Sequence, residues 1–198
     1  MSVRPRFQRA LLAWLEEARP RLALQPRVAR RTDEVLTLTF DGIVPGIAAR
    51  VDRQPRGSSC GIWVRPRFAT GGPSTLLYLD TDVVAVPGGY AFPYSPLAER
   101  TLYASREAAW RGLLFEPFLE WVNGKLAKAD AVALLWDEYC IEGDPDRCIS
   151  AQYATLVRDG EPLEPVVQGF ELESLVRIRS DGTATPDRRP RQRTRRRL

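Results

Sequence analysis

The sequence predicts an α+β fold, in which an antiparallel β-meander sheet carries an N-terminal helix and a Trp-rich helix packed on it. Three patterns support this prediction: apolar residues at helical spacing near the N-terminus, alternating apolar residues between 34 and 86, and a second helical period between 105 and 123. The strands are joined by turns too short for crossover helices. An antiparallel meander is therefore favoured over parallel βαβ units.

The first element is an amphipathic helix from Pro5 to Arg19. Its apolar positions recur at steps of three and four residues, at Phe7, Ala10, Leu11, Trp14, Leu15 and Ala18. Proline is tolerated in the first turn of a helix and ends a helix elsewhere, so Pro5 and Pro20 suit the two ends. We expect this helix to lie on the sheet.

Strands are predicted over 34–40, 46–54, 60–68 and 75–86, the last as one long strand. In the first of these, leucine and phenylalanine alternate with threonine, as in a strand that is buried on one face. A loop rich in proline and aromatic residues, 87–96, follows the fourth strand.

The second helical region begins where Ser105 can cap the first turn. Pro117 interrupts its apolar period and should either start a new helix or kink this one. Asn123-Gly124 is a suitable end.

The C-terminal third predicts a hairpin of 134–142 and 148–157 and a further strand over 171–179. Cys140 and Cys148 would then face each other across the hairpin. The sequence has three cysteines and no secretory signal, so we expect reduced thiols and a cytoplasmic protein.

We predict one domain over 1–180 and a disordered Arg-rich tail over 181–198, because that tail has too few apolar residues to offset its chain entropy. Residues 1–31 and 187–198 each carry +6, which leaves −8 for 32–186 at a net charge of +4. The tail is either a solvated end or a binder of phosphate backbones. If the tail binds phosphate backbones, nucleic acid is a partner, and the contact residues are Arg188, Arg189, Arg191, Arg193, Arg195, Arg196 and Arg197.

The composition narrows the possible chemistry. The chain contains no histidine, which excludes histidine-dependent triads and histidine metal sites. Cys60 is either a reactive thiol that needs a nearby cation or a small half-buried residue. Asp80 and Asp82, two apart on a predicted strand, are either an acid–base pair or solvated turn residues.

No glycine-rich phosphate loop occurs, so we predict no cofactor. Two neighbouring cysteines without a further cysteine or histidine do not make a zinc site, so we predict no metal. No apolar run reaches the roughly 20 residues of a membrane span, so we expect no membrane partner.

The order of elements over about residues 5–125 resembles the ubiquitin-conjugating-enzyme fold, including its bacterial and inactive relatives. The segment Gly89-Tyr90-Ala91-Phe92-Pro93-Tyr94-Ser95-Pro96 is similar to the aromatic-proline stretch of that family. The segment Phe118-Leu119-Glu120-Trp121-Val122 is similar to the helix after its active site.

The catalytic residues of that family have no counterpart here. Residues 97–115 contain neither the expected cysteine nor a preceding histidine, so no catalytic residue carries over. The resemblance implies a non-catalytic module that binds a protein in a conjugation or defence system, and this is our leading prediction. The alternatives are a nucleic-acid-associated protein that uses the tail, a thiol enzyme that uses Cys60, and an inhibitor that presents the acidic middle to a toxin.

For protein binding, the predicted contact residues are Tyr90, Phe92 and Tyr94, because aromatic side chains on a loop are effective interface anchors. The same residues could instead hold the loop against its own domain.

Overall fold

The computed structural model confirms the α+β fold. It describes residues 3–42, 44–51, 60–67, 75–93, 101–141, 144–164, 171–178 and 183–186. Within this part of the chain the strands form two five-stranded antiparallel sheets and one two-stranded hairpin.

Helix α1 spans Val3–Ala18, and a 3₁₀ turn at Arg19–Arg21 follows it. The predicted helix is confirmed, with Pro20 inside the turn that ends it. The aromatic residues of α1 pack on the later helices: the ring of Phe7 lies 5.1 Å from that of Trp110, and the ring of Trp14 lies 5.3 Å from that of Phe115. These edge and tilted ring contacts stabilise the two helical regions against each other.

The first sheet consists of five strands paired in chain order. They are β1 (Pro26–Arg31), β2 (Leu36–Phe40), β3 (Ile47–Val51), β4 (Cys60–Pro66) and β5 (Leu77–Thr81). Strand β1 was not predicted, because its arginines hide any alternation of apolar residues. Pairing with β2 makes it a strand nevertheless.

The predicted long strand over 75–86 is wrong. The chain leaves the first sheet after Thr81, and Val83 is buried at the break. Strand β6 (Val84–Val86) then pairs with β7 (Gly89–Ala91) in a separate hairpin. The apolar pattern runs through the break because both segments are partly buried, and periodicity alone does not locate such a bend.

The second helical region contains α2 (Arg106–Trp110), a π-helical segment (Arg111–Phe115) and α3 (Glu116–Gly124). The Ser105 hydroxyl accepts a 3.1 Å hydrogen bond from the Ala108 N–H, which confirms the predicted cap. Pro117 lies in the first turn of α3. The widened π turn before it accommodates the change of helix.

A 3₁₀ turn at Leu126–Lys128 leads into the second sheet. Its strands are β8 (Ala131–Ile141), β9 (Asp144–Arg158), β10 (Glu161–Pro162), β11 (Glu171–Ile178) and β12 (Ala184–Pro186). The predicted hairpin is confirmed as β8–β9, and its register sets Cys140 opposite Cys148.

Strand β12 pairs with β11 inside the segment predicted as a tail. Its composition gave no sign of this, because the pairing rests on backbone hydrogen bonds to β11 and needs few apolar side chains. The arginines of 187–198 lie outside the described residues.

The core lies between the first sheet and the helices. One face of the first sheet is apolar and buried through Leu36, Leu38, Phe40, Ile47, Ala49, Ile62 and Val64. The ring of Phe40 lies 6.0 Å from that of Phe118 on α3. Val132 and Leu156 join the second sheet to the same core. We call the opposite face of the first sheet the outer face.

Candidate functional site

The predicted partner-binding aromatics are held against their own domain where the structure describes them. Tyr90 is half-buried, and its N–H and carbonyl exchange hydrogen bonds of 2.9 and 2.8 Å with Tyr103. The guanidinium of Arg106 lies 5.7 Å from the centre of the Tyr90 ring. Phe92 is half-buried as well, and Tyr94 lies outside the described residues. Tyr90 therefore ties β7 to the start of the second helical region.

Cys60 lies at the start of β4 and is only 4% exposed. A substrate does not reach the thiol in this conformation, which favours the interpretation of Cys60 as a small buried residue. Asp80 accepts a 2.8 Å hydrogen bond from the Tyr78 hydroxyl. Asp82 lies beyond the end of β5 and not on the strand as predicted, because the chain turns away after Thr81.

In the described part of the chain, no three cysteine, aspartate or glutamate side chains converge as a metal site would require. No helix there is long and apolar enough to cross a membrane.

The outer face of the first sheet carries a continuous row of side chains across all five strands. The register places Arg30 opposite Thr37, Thr37 opposite Arg50, Arg50 opposite Trp63, and Trp63 opposite Tyr78. Directly opposed residues in antiparallel strands project to the same face. The row therefore has arginine at one edge of the sheet and two aromatic residues at the other.

A second row lies beside the first one. It sets Arg27 opposite Thr39, Thr39 opposite Ala48, and Ala48 opposite Arg65. The two rows border a groove that is lined by Arg30, Arg50, Arg65 and Arg67, with Thr37 and Ala48 between them. We call it the arginine groove.

The residues that line the arginine groove include four arginines and no carboxylate. Arg30, Arg50, Arg65 and Arg67 are all exposed. Among the described residues, no carboxylate forms an ion pair with Arg30, Arg65 or Arg67, whereas neighbouring Arg27 pairs with Asp41 at 2.6 Å. Arginine presents a planar fork of donors that matches phosphate and carboxylate oxygens. Three such forks on one open sheet face form a site suited to an anion with several charged groups.

At the β5 edge of the sheet the row ends in two aromatic residues that contact each other. The rings of Trp63 and Tyr78 lie 5.5 Å apart with an angle of 42° between their planes, and Tyr78 is 52% exposed. Gly61 makes room for this arrangement: a Cβ at that position would lie 3.1 Å from the Trp63 ring. The hydroxyl of Tyr78 is held by Asp80.

This chain matches no family model, no curated protein and no solved structure. Its candidate site therefore rests on its own geometry.

The helical side of the molecule contains a network of ion pairs around Glu116. Glu116 accepts hydrogen bonds from Arg21 (3.1 Å) and from the Trp14 indole (3.1 Å), and Arg111 lies 3.6 Å away. The hydrogen bond from Arg21 lowers the pKa of Glu116, against an opposing effect of burial. Arg111 also pairs with Glu17 at 2.9 Å. These ion pairs join α1, the turn after it and the second helical region.

Sequence reasoning missed the arginine groove. The middle of the chain has a net charge of −8, which drew attention to the basic ends. The available signal was the alternation of Trp63, Arg65 and Arg67 on one predicted strand, with Arg50 on the polar side of the strand before it. Only the register between strands shows that these side chains meet.

Proposed function

We propose that this protein is a non-catalytic binding protein and that the outer face of its first sheet binds the phosphate backbone of nucleic acid. The observation that carries the proposal is the arginine groove, in which Arg30, Arg65 and Arg67 are exposed and have no carboxylate partner among the described residues. A cluster of like charges costs stability through mutual repulsion. A bound polyanion would relieve that repulsion.

The groove suits a polymer better than a small anion. Its arginines come from three different strands, β1, β3 and β4, and from the residue after β4. Neighbouring strands lie about 4.8 Å apart, so the charges extend over roughly 15 Å of the sheet. Successive phosphates of one chain would meet successive guanidinium groups, and each contact would release a condensed counterion.

The Arg-rich tail belongs to the same proposal as a second contact. Its seven arginines would add sequence-independent attraction, whereas the groove would fix where the nucleic acid lies. The proposal keeps a cytoplasmic location, where nucleic acid is available.

The test is the binding of a labelled oligonucleotide of about 12 nucleotides across a salt series. The groove variant Arg30→Gln/Arg65→Gln/Arg67→Gln is compared with Arg9→Gln/Arg19→Gln/Arg158→Gln, which removes the same charge from exposed sites on α1, the turn after it and β9. Each lost phosphate contact lowers the slope of log K against log salt by about 0.7, so the groove variant should lose about 2.

A full-length variant with Gln at the seven tail positions separates the tail from the groove. The proposal predicts that this variant keeps the groove-dependent part of the binding. Equal losses in the groove variant and in its charge-matched control would overturn the assignment to the groove.

Protein binding near the 87–96 loop is the second candidate function, and one observation favours it. Leu102 is 54% exposed and lies 3.7 Å from the position that a Gly88 Cβ would take, so an apolar side chain stands open beside the loop. Leu102→Asp should then abolish capture of a specific host protein, whereas Tyr153→Asp, at an exposed site on β9, should not. Equal capture by both variants would contradict this candidate.

A further inference from the structure

We infer that the nucleic acid bound on the outer face is single-stranded and that one of its bases stacks on the aromatic pair Trp63–Tyr78. This inference rests on the proposed function, since it names the ligand class of the same face. The juxtaposition that carries it is the row Arg30, Thr37, Arg50, Trp63 and Tyr78, which places cations and aromatic rings side by side on one open surface.

The aromatic pair is available and held in place. Tyr78 is 52% exposed, and its hydroxyl donates a 2.8 Å hydrogen bond to Asp80. Trp63 is half-buried over Gly61, where the missing side chain leaves space for the indole. A ring that is already fixed loses little conformational entropy when a ligand stacks on it.

The positions of the arginines and of the aromatic rings would bind the phosphate and the base of a nucleotide at two neighbouring places. Arg50 lies directly opposite Trp63, and the arginine groove continues away from the aromatic pair toward β1. Beyond Trp63 the row ends in Tyr78, whose hydroxyl donates a hydrogen bond to the Asp80 carboxylate. A phosphate would therefore lie over Arg65 and Arg67 in the groove, and the attached base would lie over the rings.

A duplex does not fit this arrangement. Its bases are stacked on each other, so an aromatic side chain reaches their faces only when a base is unpaired. Stacking on aromatic side chains tolerates any base, because every base has a π face. The surface therefore predicts a preference for single strands with little sequence discrimination.

The Trp63–Tyr78 contact also stabilises the sheet as a cross-strand pair. A stability effect of substitution therefore proves nothing about stacking, and the decisive measurement is the choice among ligands. Three probes of equal phosphate number are used with the full-length protein: a mixed-sequence single strand of about 24 nucleotides, its abasic analogue of the same length, and a blunt duplex of about 12 base pairs.

We expect the single strand to bind at least about fivefold more tightly than the abasic analogue, which is the lower end of one stacked base. Trp63→Leu and Tyr78→Leu should remove this difference and leave the salt dependence unchanged, whereas Trp63→Phe should keep most of it. Tyr153→Leu, an exposed aromatic residue on β9, serves as the control. Tyr78→Leu gives the result if Trp63→Leu fails to fold, because Tyr78 is the more exposed of the pair.

Two results would overturn the inference and leave the proposed function standing: equal affinity for the single strand and the abasic analogue, or a duplex bound as tightly as the single strand. Salt-dependent binding of all three probes that is weakened by Arg30→Gln/Arg65→Gln/Arg67→Gln would still support the arginine groove. Failure of every probe to bind would overturn the proposed function and this inference together.

Discussion

Arg50 on β3 lies directly opposite Trp63 on β4, so the first sheet presents a guanidinium and an indole on one open face. The same register continues to Tyr78 on one side and to Thr37 and Arg30 on the other. One face of these strands packs against the core, and the outer face carries the arginine groove and the aromatic pair. A sheet that is packed on one face alone lets binding residues change without changing the fold.

A side chain at Gly61 should displace the Trp63 ring on this face. A Cβ at Gly61 would lie 2.9 Å from the Leu79 carbonyl oxygen and 3.1 Å from the Trp63 ring. We expect Gly61→Ala to move the indole, to change tryptophan fluorescence and to weaken single-strand binding, at a cost of about 1–3 kcal/mol in stability. Gly124→Ala is the control, because open space surrounds that position. Unchanged fluorescence and binding in Gly61→Ala would contradict the described packing.

Gly89 permits the close approach of β7 to Tyr103. A Cβ at Gly89 would overlap the Tyr103 carbonyl oxygen, which accepts the hydrogen bond from the Tyr90 N–H. Because that oxygen belongs to the backbone, relief requires the two segments to separate. Gly89→Ala should therefore lower the free energy of unfolding by about 1–3 kcal/mol and speed hydrogen exchange of the Tyr90 amide. Retained protection of that amide would show that the contact is dispensable.

Glu116 should make the stability of the helical side depend on pH. Its pKa is lowered in the folded protein, so its contribution is present above the unfolded pKa and is lost as pH falls through the folded value. At neutral pH we expect Glu116→Gln to lower the free energy of unfolding by about 1 kcal/mol, since the carboxylate is partly exposed. The difference from the native protein should shrink in acid.

Denaturant titrations at pH 7 and at about pH 3 measure this change. Glu120→Gln is the matched control, because Glu120 is an exposed residue on the same helix with no ion pair among the described residues. An equal loss for Glu116→Gln at both pH values would argue against a role for its charge.

Cys60 should be protected from alkylation in the native state. At 4% exposure its sulfur is shielded by the sheet and the core. In a Cys140→Ser/Cys148→Ser variant, we expect iodoacetamide to modify Cys60 far more slowly than a model thiol, and denaturant to restore the ordinary rate. Rapid modification of the folded protein would revive the thiol-enzyme hypothesis.

Local pattern was enough to predict most of the elements. The spacing of Phe7, Leu11 and Trp14 indicated α1, and Ser105 indicated the start of α2, because helix period and capping are properties of neighbouring residues. Strand β1 and the break after Thr81 were not predictable in this way. Both depend on which distant strand offers hydrogen bonds, and composition does not carry that information.

By itself, the amino-acid sequence determined the fold class, the main helices and hairpin, and the absence of histidine chemistry, since these follow from period, turn residues and composition. Only the tertiary structure decided where the candidate site lies. Arg30, Arg50, Arg65, Trp63 and Tyr78 come from four strands and become neighbours through pairing register. Register is set by the burial of the opposite face, because a shift of one residue would turn every one of these side chains into the core.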